Sequence, residues 1–499
     1  MSENECYVNK GETVLIAAIL LFAPVARGSV VATSSGKIEG VKSDGIVSFK
    51  GVAYAEPPVG EKRWQAPTPT RKKTSLHQAN EFGAACMQVS RPTRPVLNMS
   101  EDCLTLNIWT PAVDQKKRPV MVWIHGGGFR AGTSHVPGEN FAGQDVVFVS
   151  INYRLGPLGF FAHESIDSQD ANFGLLDMIL ALKWVNSNIE AFGGDSDNVT
   201  IFGVSAGGMA VNLLMVSEQA HGLFHRAIAQ SGYGTWPLSR SRYAPGSNIR
   251  NMFMQDADRA ETLTAELVAR ISKKKQTKKM LYRLDALELV SSLMGFQVPI
   301  VDGSSLKEEP AIRFMRGEQQ DVPFMTGGNS FEGSVMPGSG ISIEDYTRAL
   351  GSRLDQAREL YAEDDSSVWV KRMFGDYRYL LSARVLADNM KNKSSDAYLY
   401  YIDALRKDQK GKVPGTSHGT DGFLIFNGHL VADEMVKNLF VRMQRYWVNF
   451  ATGGDPNGND LADWPGHDRK SDRWMVFGES DRVREGVIQG KIGPERVSV

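Results

Sequence analysis

A serine hydroxyl becomes a strong nucleophile when a base can take its proton and backbone donors await the charge that forms on the substrate oxygen. Ser205 has the local sequence for both. It lies in Val199-Thr-Ile-Phe-Gly-Val-Ser-Ala-Gly-Gly-Met209, where a β-branched apolar run enters a tight turn and leaves into helix-forming residues. Strand, sharp turn and helix together make a nucleophile elbow. Gly203 and Gly207 flank the serine where a Cβ would meet the neighbouring strand or helix. A second Gly-x-Ser-x-Gly run, Gly415-Thr-Ser-His-Gly419, follows Lys-Val-Pro and precedes Thr-Asp-Gly. With no strand before it and no helix after it, that run reads as a loop, and Ser417 is set aside.

Upstream, a nearly all-apolar stretch at 119–124 ends in His125-Gly-Gly-Gly128. Consecutive glycines after a strand let backbone N–H groups turn toward a substrate, the oxyanion-hole pattern of many esterases and lipases. In such arrangements the order along the chain is serine, acid, histidine, so His125 reads as structural. His418, His429 and His467 follow the acid region. His429 comes just after an expected strand end, and His467 lies in a Trp-Pro-Gly-His segment expected at the surface. His418 lies in a Gly- and Ser-rich loop, from which an imidazole can reach a site. For the acid, Glu332 closes Thr326-Gly-Gly-Asn-Ser-Phe-Glu-Gly333 directly after a strand expected at 322–326. Asp364, Asp365, Asp388 and Asp403 remain open alternatives by pattern alone.

The elements that must position these residues alternate. Strands are expected at 37–41, 46–55, 104–109, 119–124, 145–153, 226–230, 322–326 and 397–402, with helices at 175–189 and 434–451. That alternation predicts an α/β fold: one large, mostly parallel central sheet with helices on both faces. Residues 239–295 turn helical and charged, which predicts an inserted helical region over the sheet's C-terminal edge. No repeat and no clean linker interrupts 29–499, so one domain is expected there.

The 499 residues carry 56 basic and 57 acidic side chains, a net charge of −1. That balance gives no electrostatic case for binding nucleic acid or a membrane surface. Residues 14–22 are a short apolar core followed by Ala26-Arg-Gly28, which predicts a signal peptide over 1–28 and a secreted or periplasmic protein. The core is too short to span a bilayer, and no later stretch looks transmembrane. Cys6 leaves with the leader. Cys86 and Cys103 are then an even pair able to close a short loop in an oxidising compartment.

Taken together, Glu101-Asp-Cys-Leu-Thr-Leu-Asn107, His125-Gly-Gly-Gly-Phe129, Asn152-Tyr-Arg-Leu-Gly156, Phe192-Gly-Gly-Asp195 and Gly203-Val-Ser-Ala-Gly-Gly208 resemble the type-B carboxylesterase and cholinesterase family. The resemblance runs from about Gly36 to Trp474. It implies an α/β-hydrolase fold and a serine carboxylesterase acting on small-molecule esters through an acyl-enzyme, with no metal or cofactor. It further implies a triad of Ser205, Glu332 and His418, and oxyanion donors at Gly127, Gly128 and Ala206. Ser231 then matches the family's supporting second serine, and Cys86–Cys103 its first disulfide. Arg63 with Glu101, and Arg154 with Asp177, match its buried ion pairs.

Departures from the pattern bear on the substrate. Val204 stands where most members carry Glu. The stretch 87–102, which in cholinesterases bears a choline-binding Trp, has no aromatic and carries Arg91 and Arg94. Leu293 and Gly295 stand at the positions of two acyl-pocket Phe residues, with Phe296 beside them. A general carboxylesterase is expected, with neutral or anionic esters preferred over cationic ones and an opened acyl pocket unless Phe296 swings in. Two rival readings are a lipase, which the charged insertion disfavours for want of an apolar lid, and a non-catalytic adhesion or binding protein on the same fold. Such adhesion relatives lose the serine or histidine, and this chain keeps both.

Overall fold

The strand-and-helix alternation closes into one 13-stranded sheet in the computed structural model, which describes residues 28–90, 95–244, 259–365, 367–390 and 393–488. Its main path comprises β1 Ser29–Thr33, β2 Gly36–Ser43, β3 Ile46–Ala53, β4 Thr105–Thr110, β5 Arg118–Ile124 and β6 Val147–Ile151. It continues through β7 Gly194–Val204, β8 Arg226–Gln230, β9 Phe324–Asn329, β10 Ala397–Ile402, β11 Arg473–Phe477 and β12 Arg482–Glu485. The spatial order is β1-β2-β3-β4-β6-β5-β7-β8-β9-β10-β11-β12. From β6 to β11 every pairing is parallel, and the two margins are antiparallel.

Register is what gathers the site. Ile124 pairs with Gly203, Val204 with Gln230, and Gln230 with Gly327. The strands β5, β7, β8 and β9 therefore end nearly level. Their next residues, His125 to Gly128, Ser205, Ser231 and the segment leading to Glu332, emerge along one edge. That is the carboxyl edge, where open α/β sheets carry their ligands.

The apolar run of β5 is explained by cover on both faces: Val120 to Ile124 are buried throughout. One face packs on the helices Phe173–Asn188 and Ala206–Val216, the other on the helix Glu434–Gly453. The last helix shows how its sequence does this. Asp433 caps its start by accepting from the Val436 N–H, and Gly454, at φ +83°, ends it. Between them Val436, Leu439, Phe440, Met443, Tyr446, Trp447 and Phe450 recur at helical spacing and face the core. Trp447 Nε1 reaches Gln230 Oε1 at 3.3 Å, tying this helix to the end of β8.

Among its described residues, the region 239–295 is less uniformly helical than expected. It contains a two-residue strand, Ser239–Arg240, paired with Ile300–Val301, and the helices Ala260–Ile271, Lys278–Leu281 and Ala286–Ser291. Just beyond it, the Gln297 N–H donates to the Gly128 carbonyl at 2.9 Å, so this region leans on the glycine loop. The strand expected at 322–326 is shifted to Phe324–Asn329, which brings its end closer to Glu332. The strand expected at 145–153 is confined to Val147–Ile151. Cys86 and Cys103 are joined in a disulfide. Arg63 forks onto Glu101 at 2.7 and 2.6 Å, and Arg154 onto Asp177 at 2.8 and 2.7 Å. Residues 1–27 of the leader expected over 1–28, and Arg91 and Arg94, lie outside the described residues. No helix among the described residues is long and apolar enough to cross a membrane.

Candidate active site

Ser205 sits between β7 and the helix Ala206–Val216 with φ +59° and ψ −118°, a conformation that non-glycine residues rarely hold. The neighbours enforce it. A Cβ on Gly207 would fall 2.0 Å from the Ile124 carbonyl oxygen, so helix and strand can approach this closely only with glycine there. The Ser205 N–H is spent on the Gln230 carbonyl at 2.8 Å, which leaves the hydroxyl at the tip of the turn.

His418 approaches from the other side of the sheet edge. Its Nε2 lies 2.8 Å from Ser205 Oγ, and its Nδ1 is hydrogen-bonded to Glu332 Oε2. Two loops are zipped together to hold this pair. The Phe331 N–H donates to the Thr416 carbonyl at 2.8 Å, the Thr416 N–H to Ser330 Oγ at 2.8 Å, and the His418 N–H to Ser334 Oγ at 2.9 Å. Tyr379 packs its ring 4.6 Å from the imidazole.

Glu332 is fully buried and well supplied with donors. Its Oε1 accepts from the Asn329 N–H at 2.6 Å, from Asn329 Nδ2 at 3.0 Å and from Ser231 Oγ at 2.6 Å. Burial works to raise its pKa, but the His418 imidazole and these donors outweigh burial and hold it below the usual carboxylate range. A second carboxyl, Asp421, stands behind Ser231 with Oδ2 at 3.0 Å from its hydroxyl and 2.7 Å from the Tyr400 hydroxyl. Burial and the nearby charge of Glu332 push Asp421 upward, so it keeps its proton more readily than an ordinary aspartate. Neither Asn329, Asp421 nor Tyr400 was identified in the sequence. The one signal available was the placement of Asp421 three residues after His418, in Ser-His-Gly-Thr-Asp.

The glycine loop faces this group. Gly127, at φ +120°, has no room for a Cβ, which would fall 2.0 Å from the Ala131 carbonyl oxygen. The N–H groups of Gly127, Gly128 and Ala206 have no backbone acceptor among the described residues. His125 has its ring stacked on Tyr153 at 4.4 Å, and burial lowers its pKa to about 4. It stays neutral and structural, as expected. Phe296 lies against the glycine loop: a Cβ on Gly128 would meet its ring at 2.4 Å. Gly295, at φ +85°, could not carry a side chain without striking Ser339.

The other candidates are elsewhere. His429 lies in a short 3₁₀ turn after a helix rather than after a strand, with Asn140 3.4 Å away. His467 turns its side chain inward: the residue as a whole is half-buried, but the side chain is 2% exposed, with Nε2 2.8 Å from Asp388. Asp364 holds Arg372, Asp365 caps the Val368–Gly375 helix, and Asp403 is exposed. Ser417 is exposed beside His418. A helix does follow that loop, however, at Thr420–Asn427. Its apolar turn was too short to stand out in the sequence.

The sequence matches the Carboxylesterase family over residues 27–492. It is 31% identical over 479 residues to para-nitrobenzyl esterase of Bacillus subtilis (strain 168), covering 90% of this chain and 94% of that protein. It is 32% identical over 493 residues to fumonisin B1 esterase of Sphingopyxis macrogoltabida, covering 91% and 87% respectively. Among solved structures, a PNB esterase superposes with a TM-score of 0.79 at 29% identity over 92% of this chain and 97% of its own. A Geobacillus stearothermophilus carboxylesterase does so with a TM-score of 0.78 at 30% identity, over 92% and 98%. With the family match spanning nearly the whole sequence and solved esterases sharing the fold, the chain belongs to the carboxylesterase family and is a carboxylic ester hydrolase of the α/β-hydrolase fold.

Proposed function

We propose that ester hydrolysis runs through a Ser205–His418–Glu332 triad and an acyl-enzyme on Ser205. The observation that carries this reading is the contact of His418 with both partners: Nε2 stands 2.8 Å from Ser205 Oγ while Nδ1 bonds the buried Glu332. Ser205 Oγ attacks the ester carbonyl carbon and His418 Nε2 takes its proton. Glu332 holds the tautomer and stabilises the imidazolium. The carbonyl oxygen, now negative, is met by the N–H groups of Gly127, Gly128 and Ala206. As the tetrahedral centre collapses, the C–O bond to the alcohol breaks and His418 returns the proton to the leaving oxygen. A water molecule then attacks the acyl carbon and gives a proton to His418; the bond from the acyl carbon to Ser205 Oγ breaks, His418 returns the proton to Ser205, and the acid leaves. Ser231 takes the role of anchoring Glu332.

The same reading takes 29–499 as one catalytic domain with the region 239–295 inserted, and 1–28 as an export signal of a secreted or periplasmic enzyme. The relatives are named for para-nitrobenzyl and fumonisin B1 esters, so these two chemistries are the first substrates to try. The test is active-site trapping. A fluorophosphonate should add one mass increment to the peptide carrying Ser205, with loss of esterase activity in proportion. Labelling at Ser417, or full inhibition with Ser205 unmodified, would overturn the assignment.

A further inference from the structure

Buried arginines in this protein have carboxylates: Arg63 has Glu101, Arg154 has Asp177, Arg118 has Asp114, and Arg384 has Asp472. Arg378 is the exception. It is 2% exposed, yet among the described residues it pairs with no carboxylate; only the Tyr233 and Tyr379 hydroxyl oxygens stand as acceptors for its guanidinium. Its guanidinium is instead walled by rings, 4.4 Å from Tyr233, 4.5 Å from Trp236 and 5.8 Å from Phe296, Phe374 and Tyr379. Ring faces attract a cation, but they accept none of its directed N–H bonds.

What is unmet around it is donor capacity. Arg378 Nε has no acceptor, and the Tyr233 and Tyr379 hydroxyls, whose oxygens can accept from the guanidinium, have no acceptor for their own O–H. Burial raises both tyrosine pKa values, so both keep their O–H. A cation and two hydroxyls whose protons have no acceptor describe one half of a carboxylate site, since a carboxylate brings acceptors only.

The cluster also adjoins the reacting groups. Arg378 and Tyr379 lie on a single π-helical turn, Asp376–Leu380, a local widening of the helix often found at functional sites. Tyr379 packs against His418, and Phe296 against Gly128. Tyr233 follows Ser231 by two residues. Trp236 and Phe296 also line a cavity of about 370 Å³. Phe296 directly follows Gly295, on the side where the family resemblance puts the acyl pocket.

We infer that Arg378, with the Tyr233 and Tyr379 hydroxyls, forms a carboxylate-binding subsite for the acyl part of the substrate, so that preferred esters are half-esters of short dicarboxylic acids. The inference rests on the Ser205 reading above for which part of the ester faces this cluster. It differs from the earlier expectation of anion tolerance in naming a buried residue of the site rather than Arg91 and Arg94.

The experiment compares mono-4-nitrophenyl succinate, glutarate and adipate with neutral 4-nitrophenyl esters of matched chain length. The readout is the ratio of kcat/KM, anionic over neutral, for each pair, in which a general loss of folded enzyme cancels. The best half-ester should exceed its neutral partner by at least about tenfold, the scale set by one charge-assisted bidentate contact. Arg378→Gln should bring that ratio to about one, and Arg378→Lys should restore part of it. A neutral ester carrying its carboxylate on the alcohol should show no such preference. The same half-esters are then titrated calorimetrically into Ser205→Ala and into Ser205→Ala with Arg378→Gln. Tighter binding of the half-ester only where Arg378 is present supports the subsite even if the assigned nucleophile is wrong. No anionic preference in the unsubstituted enzyme and no preferential binding to Ser205→Ala overturns the inference, as does a preference that survives Arg378→Gln or follows a carboxylate on the alcohol.

Discussion

Asp421 and Glu332 are two buried carboxyl groups joined through one hydroxyl: Ser231 Oγ stands 2.6 Å from Glu332 Oε1 and 3.0 Å from Asp421 Oδ2. Their environments push them apart. Glu332, facing His418, is held in the charged form, and Asp421, facing Glu332, is pushed toward the neutral form. A proton on Asp421 Oδ2 can then be donated to Ser231 Oγ, whose own proton goes to Glu332.

Asp421→Asn should therefore be tolerated where Glu332→Gln is not. The amide can reproduce a neutral carboxyl's donor and acceptor, so kcat should stay within about threefold of the parent, whereas Glu332→Gln should cost roughly 10³–10⁴-fold by unseating the histidine tautomer. Stability supplies a second readout. Because the folded pKa of Asp421 lies above its ordinary value of 3.8, the parent loses stability as pH rises from there toward the folded pKa. The Tm of Asp421→Asn relative to the parent should climb over that range and then level off. A difference in Tm that is flat with pH would rule the proton out.

Ser205→Ala and His418→Ala should each lower kcat by roughly 10⁵–10⁶-fold with the fold intact. Ser417→Ala should do far less, since its side chain is exposed. Circular dichroism and kcat on a para-nitrophenyl ester check both halves. Equal losses at Ser205 and Ser417 would refute the roles.

Val204 places an apolar side chain against Gly422, at the position where the family resemblance would put a glutamate. The stretch 87–102 offers no aromatic platform for a cation. A neutral butyrate ester should thus exceed acetylcholine in kcat/KM by at least about tenfold, a difference of about 1.4 kcal/mol. Parity between the two, measured under identical salt, would count against the reading.

The disulfide at Cys86–Cys103 closes a short loop beside the Arg63–Glu101 pair. Replacing both cysteines with serine should cost about 2–4 kcal/mol, mostly through a freer unfolded chain. Thermal unfolding without reductant would register it as a lower Tm, and adding reductant to the parent should give a similar drop. No change on either route, or free thiols at both positions in exported protein, would contradict it.

Ser205 and the His125-Gly-Gly-Gly128 loop could be read from the sequence because each is a contiguous motif whose chemistry is local. The centre of the sheet could be read for a related reason: 119–124 in β5 is a short, nearly all-apolar run of the kind a strand covered on both faces carries. His418 and Glu332 are harder, since a loop histidine and a post-strand carboxylate are common, and the family resemblance was needed to single them out. Asp421 was beyond reach. Its partner Ser231 is 190 positions away, and its place three residues after His418 does not by itself mark a carboxyl that will be buried. His467 failed for the converse reason: a Pro-Gly turn usually marks the surface, and the buried Asp388 that draws it inward is 79 positions distant.

The pairing of Phe331 with Ser417 and Thr416 has a kinetic meaning. Acid and base ride on two loops that share backbone hydrogen bonds, so opening either one frees the other. Amide hydrogens at Phe331, Thr416 and His418 should exchange as one cooperative unit, with similar opening free energies. A molecule caught in that open form has lost acid and base together and is wholly inactive. Partial denaturation should therefore reduce the number of working enzymes while leaving the rate of each survivor unchanged.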